Sequence, residues 1–207
     1  MAYSNFQMVE LLDRFGLTLH DRTGLFTDVP DLEPSDRLMA DLLDNVPLAI
    51  AINTEKARSE LLILPVLLEL RRHFQRQISL FSGVEFSVDP EQGLTGFCDF
   101  LVSQDPEQLL IRSPVAIGVE AKNGNLASGL AQCTAELVAA QIFNQRAGNA
   151  LSHVLGVVTT GTSWQFLRLV DRDLDIDLRE YPIDRPAAIL GILASAINRS
   201  CPTHSAS

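Results

Sequence analysis

The sequence predicts an α/β fold, a central mixed sheet of about five strands flanked by helices, from three observations. Three apolar runs of strand length, residues 78–88, 94–102 and 111–121, follow one another with turn signals between them: Asp89-Pro90-Glu91-Gln92-Gly93 and Asp105-Pro106. Helix-length segments stand on either side, one beginning near Thr54 and one over residues 128–145. Two more apolar runs, 153–161 and 161–170, come after the second helix, and a helix crossover makes the pairing of residue 121's strand with the next one parallel.

In chain order, Ser4 or Asn5 caps a first helix running to about Phe15, with Phe6, Val9, Leu12 and Phe15 at helical spacing and Gly16 as its stop. Residues 17–26 are short and turn-rich, in the manner of a small strand pair. The proline- and acid-bearing stretch 29–36 is a loop. Ser35 caps a second helix to about Asn45, with Leu38, Leu42 and Leu43 apolar. Residues 1–50 are thus expected as a helical extension packed on the core, 51–200 as the core itself, and 201–207 as a disordered tail.

Thr54 caps the helix that carries Glu60, and Pro65 is expected to kink or restart it, because proline removes a backbone bond. Arg71, Arg72 and Arg76 end this helix; they either complement its dipole or contact a nucleic acid. After the three strands, the loop 123–129 leads to a helix on which Gln132 and Glu136 share one face. Trp164 reads as packing. Asp171, Asp173, Asp175 and Asp177 alternate with apolar residues and lack calcium-loop spacing, so they are expected on a half-solvated edge strand whose charges protect the edge. A last amphipathic helix covers residues 187–198.

At 207 residues the chain is long enough for one domain with a sizeable core. Three cysteines without a C-x-x-C spacing and four scattered histidines argue against zinc and against a disulfide framework, and for a reducing, cytoplasmic setting. No apolar run reaches membrane-spanning length and no signal peptide is evident, so no membrane partner is expected. The formal net charge of −10 excludes a generally basic nucleic-acid-binding surface and leaves room only for a local one.

The chemistry concentrates between Gly96 and Lys122. Asp99 lies in one apolar run; Glu120 and Lys122 end another. Alternation puts Ala116, Gly118, Glu120 and Lys122 on one strand face and Val115, Ile117, Val119 and Ala121 on the other. If the two strands are neighbours, Asp99 lies beside Glu120. Ionised groups in buried strands are costly unless paired or metal-bound, and hard divalent cations take oxygen ligands of this kind. Of only two lysines in the chain, Lys56 and Lys122, one sits in this cluster.

Asp99, an interval of about twenty residues, then Glu120-Ala121-Lys122 at a strand end resembles the PD-(D/E)xK nuclease superfamily. The segment 54–69, with Glu60 and Pro65, resembles the first helix of the type I restriction enzyme nuclease domain, and residues 129–143, with Gln132, resemble its later helix. The resemblance covers roughly residues 54–169. Two departures are Cys98 ahead of the first acid, where the family often has Pro, and Glu136 where some relatives carry Tyr. The resemblance implies a restriction-endonuclease-like sheet, an Mg²⁺-dependent (or Mn²⁺-dependent) hydrolysis of phosphodiester bonds, DNA as partner, and a homodimer as one arrangement. It implies Asp99, Glu120 and the Ala121 backbone carbonyl as metal ligands, Lys122 as the group that positions or deprotonates water, and Glu60 and Gln132 as helpers. Three rivals remain: a catalytically silent nuclease-fold binding or assembly module, a metal-dependent hydrolase of nucleotides or small phosphates, and a structural protein whose cluster is an internal ion pair. Glu60 also reads as a plain exposed acid.

Overall fold

A computed structural model describes residues 2–197. The expected tail and Cys201 lie outside the described residues. The fold is α/β, and its mixed sheet has eight strands rather than about five. They are β1 (Thr18–Arg22), β2 (Ser79–Glu85), β3 (Phe97–Ser103), β4 (Val115–Ala121), β5 (Val154–Thr159), β6 (Ser163–Val170), β7 (Asp173–Asp177) and β8 (Tyr181–Pro182). The spatial order is β1-β7-β6-β5-β4-β3-β2, with β8 beside β6. Neighbours are antiparallel except β4–β5 and β1–β7. The extra strands are β1 and β7, from the two segments expected as a small strand pair and an edge strand, which join the central sheet, and the two-residue β8, too short for periodicity to reveal.

The helices are α1 (Met8–Phe15), α2 (Asp36–Ile52), α3 (Glu55–Arg58), α4 (Leu64–His73), α5 (Leu130–Arg146) and α6 (Pro186–Ile197). Ser4 and Asn5 cap nothing; they lie in a 3-10 turn (Tyr3–Asn5), and α1 starts after it. Residues 17–26 hold one strand, β1, which pairs with β7 instead of forming a strand pair of its own. α2 runs past Asn45 with Pro47 inside it and ends at Asn53 in a left-handed conformation. Thr54 then caps α3, its hydroxyl accepting from the Ala57 N–H at 3.1 Å.

A π-helical turn (Ser59–Ile63) joins α3 to α4 and sets Pro65 in the first turn of α4. Proline cannot donate to the carbonyl four residues back. That carbonyl, Leu61 O, instead accepts from Asn45 Nδ2 of α2 at 3.0 Å. The expected break is therefore resolved as a change of helical winding, stitched to a neighbouring helix.

Each face of the sheet carries its own core. One is built from α2, α4 and α6 with Ile117, Val119 and Ala121; the other from α1, α5 and the N-terminal turn with Cys98, Leu101 and Val158. The strict alternation expected along β4 holds only from Ile117 onward. The β3–β4 register shifts between Val102 and Ser103, and below that shift Val115 packs on the α5 side and Ala116 on the opposite side. The stretch Leu126–Arg146, 21 residues, has the length and apolarity of a membrane span, yet it contains the core helix α5, packed on β4 and β5. Trp164 is fully buried, its indole N–H donating to Gly161 O at 3.1 Å.

The acidic run is not an edge. β7 lies between β6 and β1, and Asp175 and Asp177 are buried. Burial alone would raise the Asp175 carboxyl pKa, but Arg168 and Arg22 hold it below its ordinary value. Arg168 Nη2 donates to it at 2.7 Å and Arg22 Nε at 3.1 Å. Asp177 accepts from Tyr181 Oη at 3.0 Å and Gly24 N at 2.9 Å. The charges join β1 to the sheet instead of protecting a free edge. Asp175→Asn is expected to cost about 2 kcal/mol, since it leaves two guanidinium groups facing a neutral amide. Thermal denaturation at neutral pH checks this; an unchanged melting temperature would mean the ion pairs contribute nothing.

Candidate active site at the end of strand β4

β4 ends where α5 begins, and α5 is fastened to it at both ends by amide side chains. Asn144, buried near the end of α5, accepts from Val115 N at 2.7 Å and donates to Val115 O at 2.8 Å. Gln132, in its first turn, donates to Glu120 Oε2 at 2.8 Å. The C-terminal end of β4 is thus pinned beside the start of α5, on a sheet whose β4–β5 pair is parallel. In open α/β sheets such strand ends are where ligands bind.

Asp99 reaches this point through a local irregularity. The β2–β3 ladder pairs Ser82 with Phe100 and Val84 with Cys98 and skips Gly83 and Asp99 between them. Gly83 has φ of 60°, a conformation that glycine adopts without strain. Cys98 and Leu101 consequently pack in the same core, so alternation slips at Asp99. Its carboxylate turns toward β4 and accepts from Ala121 N at 2.7 Å. Lys122 continues the β4–β5 ladder, its N–H donating to Thr159 O at 2.8 Å, and its ammonium donates to Glu120 Oε1. Glu120 is 2% exposed and the Lys122 side chain 21%.

The structure therefore brings Asp99, Glu120, Ala121, Lys122 and Gln132 together. It does not bring Glu60. That residue is exposed and paired with Lys56 Nζ at 2.8 Å, at the start of the π-turn. The acid whose field reaches Glu120 and Lys122 is Glu55, in the first turn of α3. Its position directly after the capping Thr54 was the only sign of it in the sequence. Asn123 Nδ2 donates to Asn53 O at 3.2 Å and ties this helix start to the loop after Lys122.

A second group missed from the sequence is Glu136. It is buried one turn after Gln132, whose Nε2 donates to Glu136 Oε1 at 3.2 Å, while Glu136 Oε2 has no hydrogen-bond partner among the described residues. Its shared face with Gln132 was visible; its burial was not.

The electrostatics follow from crowding. Burial, then the neighbouring Asp99 charge, pushes the Glu120 carboxyl up to about 7 against the opposing pull of Lys122. Burial, then Glu120, raises Glu136 well above the ordinary carboxylate range. Burial alone would lower the Lys122 ammonium, yet its hydrogen bond to Glu120 and the surrounding acids hold it above its usual value. Acids outnumber the one ammonium, and the crowding favours the protonated form of the buried carboxyls. Among the described residues, no three His, Cys, Asp or Glu side chains are arranged as a metal-binding group.

Arg71, Arg72 and Arg76 are remote from this cluster. The helical run from Glu55 to Arg72 climbs roughly 25 Å at 1.5 Å per residue. Arg71 Nε donates to Ile78 O at 3.2 Å, and Arg72 pairs with Glu69 at 2.7 Å. Arg58 is nearer, but its guanidinium is committed to Thr160 O at 2.9 Å and to Asn53 Oδ1 at 3.2 Å.

Gly129 makes the close approach of the loop possible. A Cβ there would stand 2.7 Å from Val158 Cγ1, 3.1 Å from Lys122 Cε and 3.3 Å from Glu120 Cγ. Gly129→Ala is expected to destabilise by about 1–3 kcal/mol through overpacking, and to shift the Lys122 side chain. A thermal melt, with the Lys122 ammonium followed by NMR, would read both effects.

No protein-family model, curated protein or solved structure matches this chain.

Proposed function

We propose that this protein is a metal-dependent phosphodiester hydrolase of the PD-(D/E)xK type, with a restriction-endonuclease-like core, acting on DNA in a reducing, cytoplasmic setting. The observation that carries the reading is the convergence of Asp99, Glu120, Lys122 and Gln132 at adjacent strand ends and the start of the following helix. Their order along the chain, two acids on neighbouring antiparallel strands and then a helix bearing Gln, is the order the resemblance requires. Two buried free thiols, Cys98 and Cys133, agree with the reducing setting.

The donor set fits a hard divalent cation. Every donor is an oxygen, the local charge is in acidic surplus, and Glu136 Oε2 is a buried polar atom left without a partner. Asp99, Glu120 and the Ala121 carbonyl would hold Mg²⁺ or Mn²⁺, which supplies Lewis acidity toward phosphate oxygen and a lowered pKa for bound water. Lys122 binds and orients the attacking water and offsets the carboxylate charge. Gln132 holds the Glu120 carboxylate in position through Oε2. Ala121 N fixes Asp99.

A second reading, a catalytically silent nuclease-fold module that binds or assembles, alone or as a homodimer, is favoured by one observation. Glu120 is already satisfied on both oxygens by Lys122 and Gln132. Cleavage of supercoiled, linear and single-stranded DNA with Mg²⁺ or Mn²⁺ separates the two. Metal-dependent cleavage that disappears in Asp99→Ala supports the hydrolase, whereas a folded protein that cuts none of the substrates supports the module.

A further inference from the structure

A cleft of about 450 Å³ opens beside the cluster, within the size range of small-ligand sites. Its walls include Phe6 and Gln7 from the N-terminal segment, Leu19 of β1, Gln132 of α5, Gln165 of β6 and Leu178 after β7. It is continuous with the candidate active site through Gln132, which lines the cleft and donates to Glu120.

Register fixes the distance. Glu120 pairs with Val158 on β5, and Val158 pairs with Gln165 on β6. Cross-strand partners project to the same face, so Glu120, Val158 and Gln165 form one row beneath the start of α5. Gln165 is two strand spacings from Glu120, about 9.6 Å. Its Nε2 is anchored on Asp177 O at 3.0 Å, which holds the amide in the wall.

The chemistry of the lining is selective. Among the described residues it contains no lysine or arginine, and its one acid is Asp21. A phosphate has nothing there to neutralise it. Three glutamines line it. Gln132 gives its amide hydrogens to Glu120 and Glu136, and Gln165 gives one to Asp177 O, which leaves their carbonyl oxygens as acceptors beside the Gln7 amide, groups of the kind that read base edges. Phe6, Leu19 and Leu178 supply apolar surface, and Leu19 and Leu178 are 38% and 55% exposed at the lip. A flat, uncharged, hydrogen-bonding group with two apolar faces matches these walls.

We propose that this cleft is a nucleobase subsite, which takes one unstacked base of the strand whose phosphate lies at Lys122. The proposal rests on the hydrolase reading for the identity of that strand. It also accounts for an acidic protein whose Arg71, Arg72 and Arg76 are remote from its chemistry: affinity comes from base contacts rather than from phosphate neutralisation. Enzymes that extrude a base hold it in this way, by edge hydrogen bonds and apolar or aromatic stacking.

The test is fluorescence anisotropy of a labelled single-stranded thymidine oligonucleotide against an abasic strand of the same length, in chelator without divalent cation, at low and high salt. The intact protein is expected to bind the base-bearing strand about tenfold tighter or more, as stacking of a base predicts, with weak salt dependence. Leu178→Ser and Leu19→Ser, both at exposed positions and checked for folding by circular dichroism, are expected to lose most of that preference. Equal affinity for the two strands, an unchanged preference in both variants, or no binding of either strand overturns the subsite. Self-association through the cleft, seen by light scattering and abolished by Leu178→Ser, overturns it as well. A protein that prefers bases but never cuts keeps the subsite and loses the hydrolase. One that cuts yet ignores bases does the reverse.

Discussion

Lys122→Ala is expected to lower the metal-dependent DNA cleavage rate by about 10²–10⁴-fold, the range for removing a positioned acid–base or charge-stabilising group. The side chain lies at the rim of the cluster, partly exposed, with its ammonium on Glu120. Its backbone N–H, bonded to Thr159 O, is untouched by the substitution, so the β4–β5 ladder stays closed. The fold should therefore persist while the chemistry is lost. Removing the ammonium also takes away the group that holds the Glu120 pKa down, so Glu120 should bind its proton more tightly. Arginine at this position keeps the charge but not the compact ammonium, and is expected to restore stability without restoring rate. Rates measured for wild type, Lys122→Ala and Lys122→Arg, beside their melting temperatures, decide it. An unchanged rate in the alanine variant would sink the proposed mechanism.

Glu136→Gln is expected to stabilise the protein increasingly as pH rises. The Glu136 carboxyl is raised in the folded state, first by burial and then by Glu120. A folded pKa above the unfolded one means that the native state binds the extra proton. Stability then falls as pH rises above the ordinary carboxylate range. The glutamine variant has no such proton to hold, and it keeps an acceptor for Gln132. The gap between variant and wild type should be near zero at pH 4 and widen by up to about 1.4 kcal/mol for each pH unit above 5. Each kcal/mol corresponds to roughly 2–4 °C in melting temperature for a chain of this size.

The comparison with the variant matters because other groups titrate nearby. Glu120 is raised to about 7 and has the same sign. His153 is depressed by burial and by Arg168, so its contribution rises with pH through the ordinary histidine range and opposes them. Asp175, Glu69 and Asp89 are depressed and lose their contribution only on strong acidification. Melts of both proteins across this range, in chelator, isolate the Glu136 part. A gap that stays constant with pH would mean that Glu136 is ionised in the folded protein.

The sequence by itself determined the α/β class, the strand meander, the crossover helix and the shared strand face of Glu120 and Lys122. Those follow from short-range rules: apolar runs bounded by turn residues, alternation along a strand, and helical spacing. That Asp99 joins Glu120 and Lys122 depended on the pairing of β3 with β4 and on the irregularity at Gly83. Gln132 entered through the resemblance of residues 129–143 to the family's later helix, not through any local rule. Only the tertiary structure decided the rest. Whether Asp175 lies on an edge depends on β1, a segment over 150 positions away whose pairing leaves no periodic trace in five residues. Which acid of the first helical run faces the site depended on how that run packs beside the end of β4, with Glu55 in range and Glu60 turned out to Lys56, and spacing along the helix does not say which face meets the sheet. The burial of Glu136 and the cleft beside Gln132 arise where α1, α5 and the sheet meet, and packing between distant elements is what local patterns cannot encode.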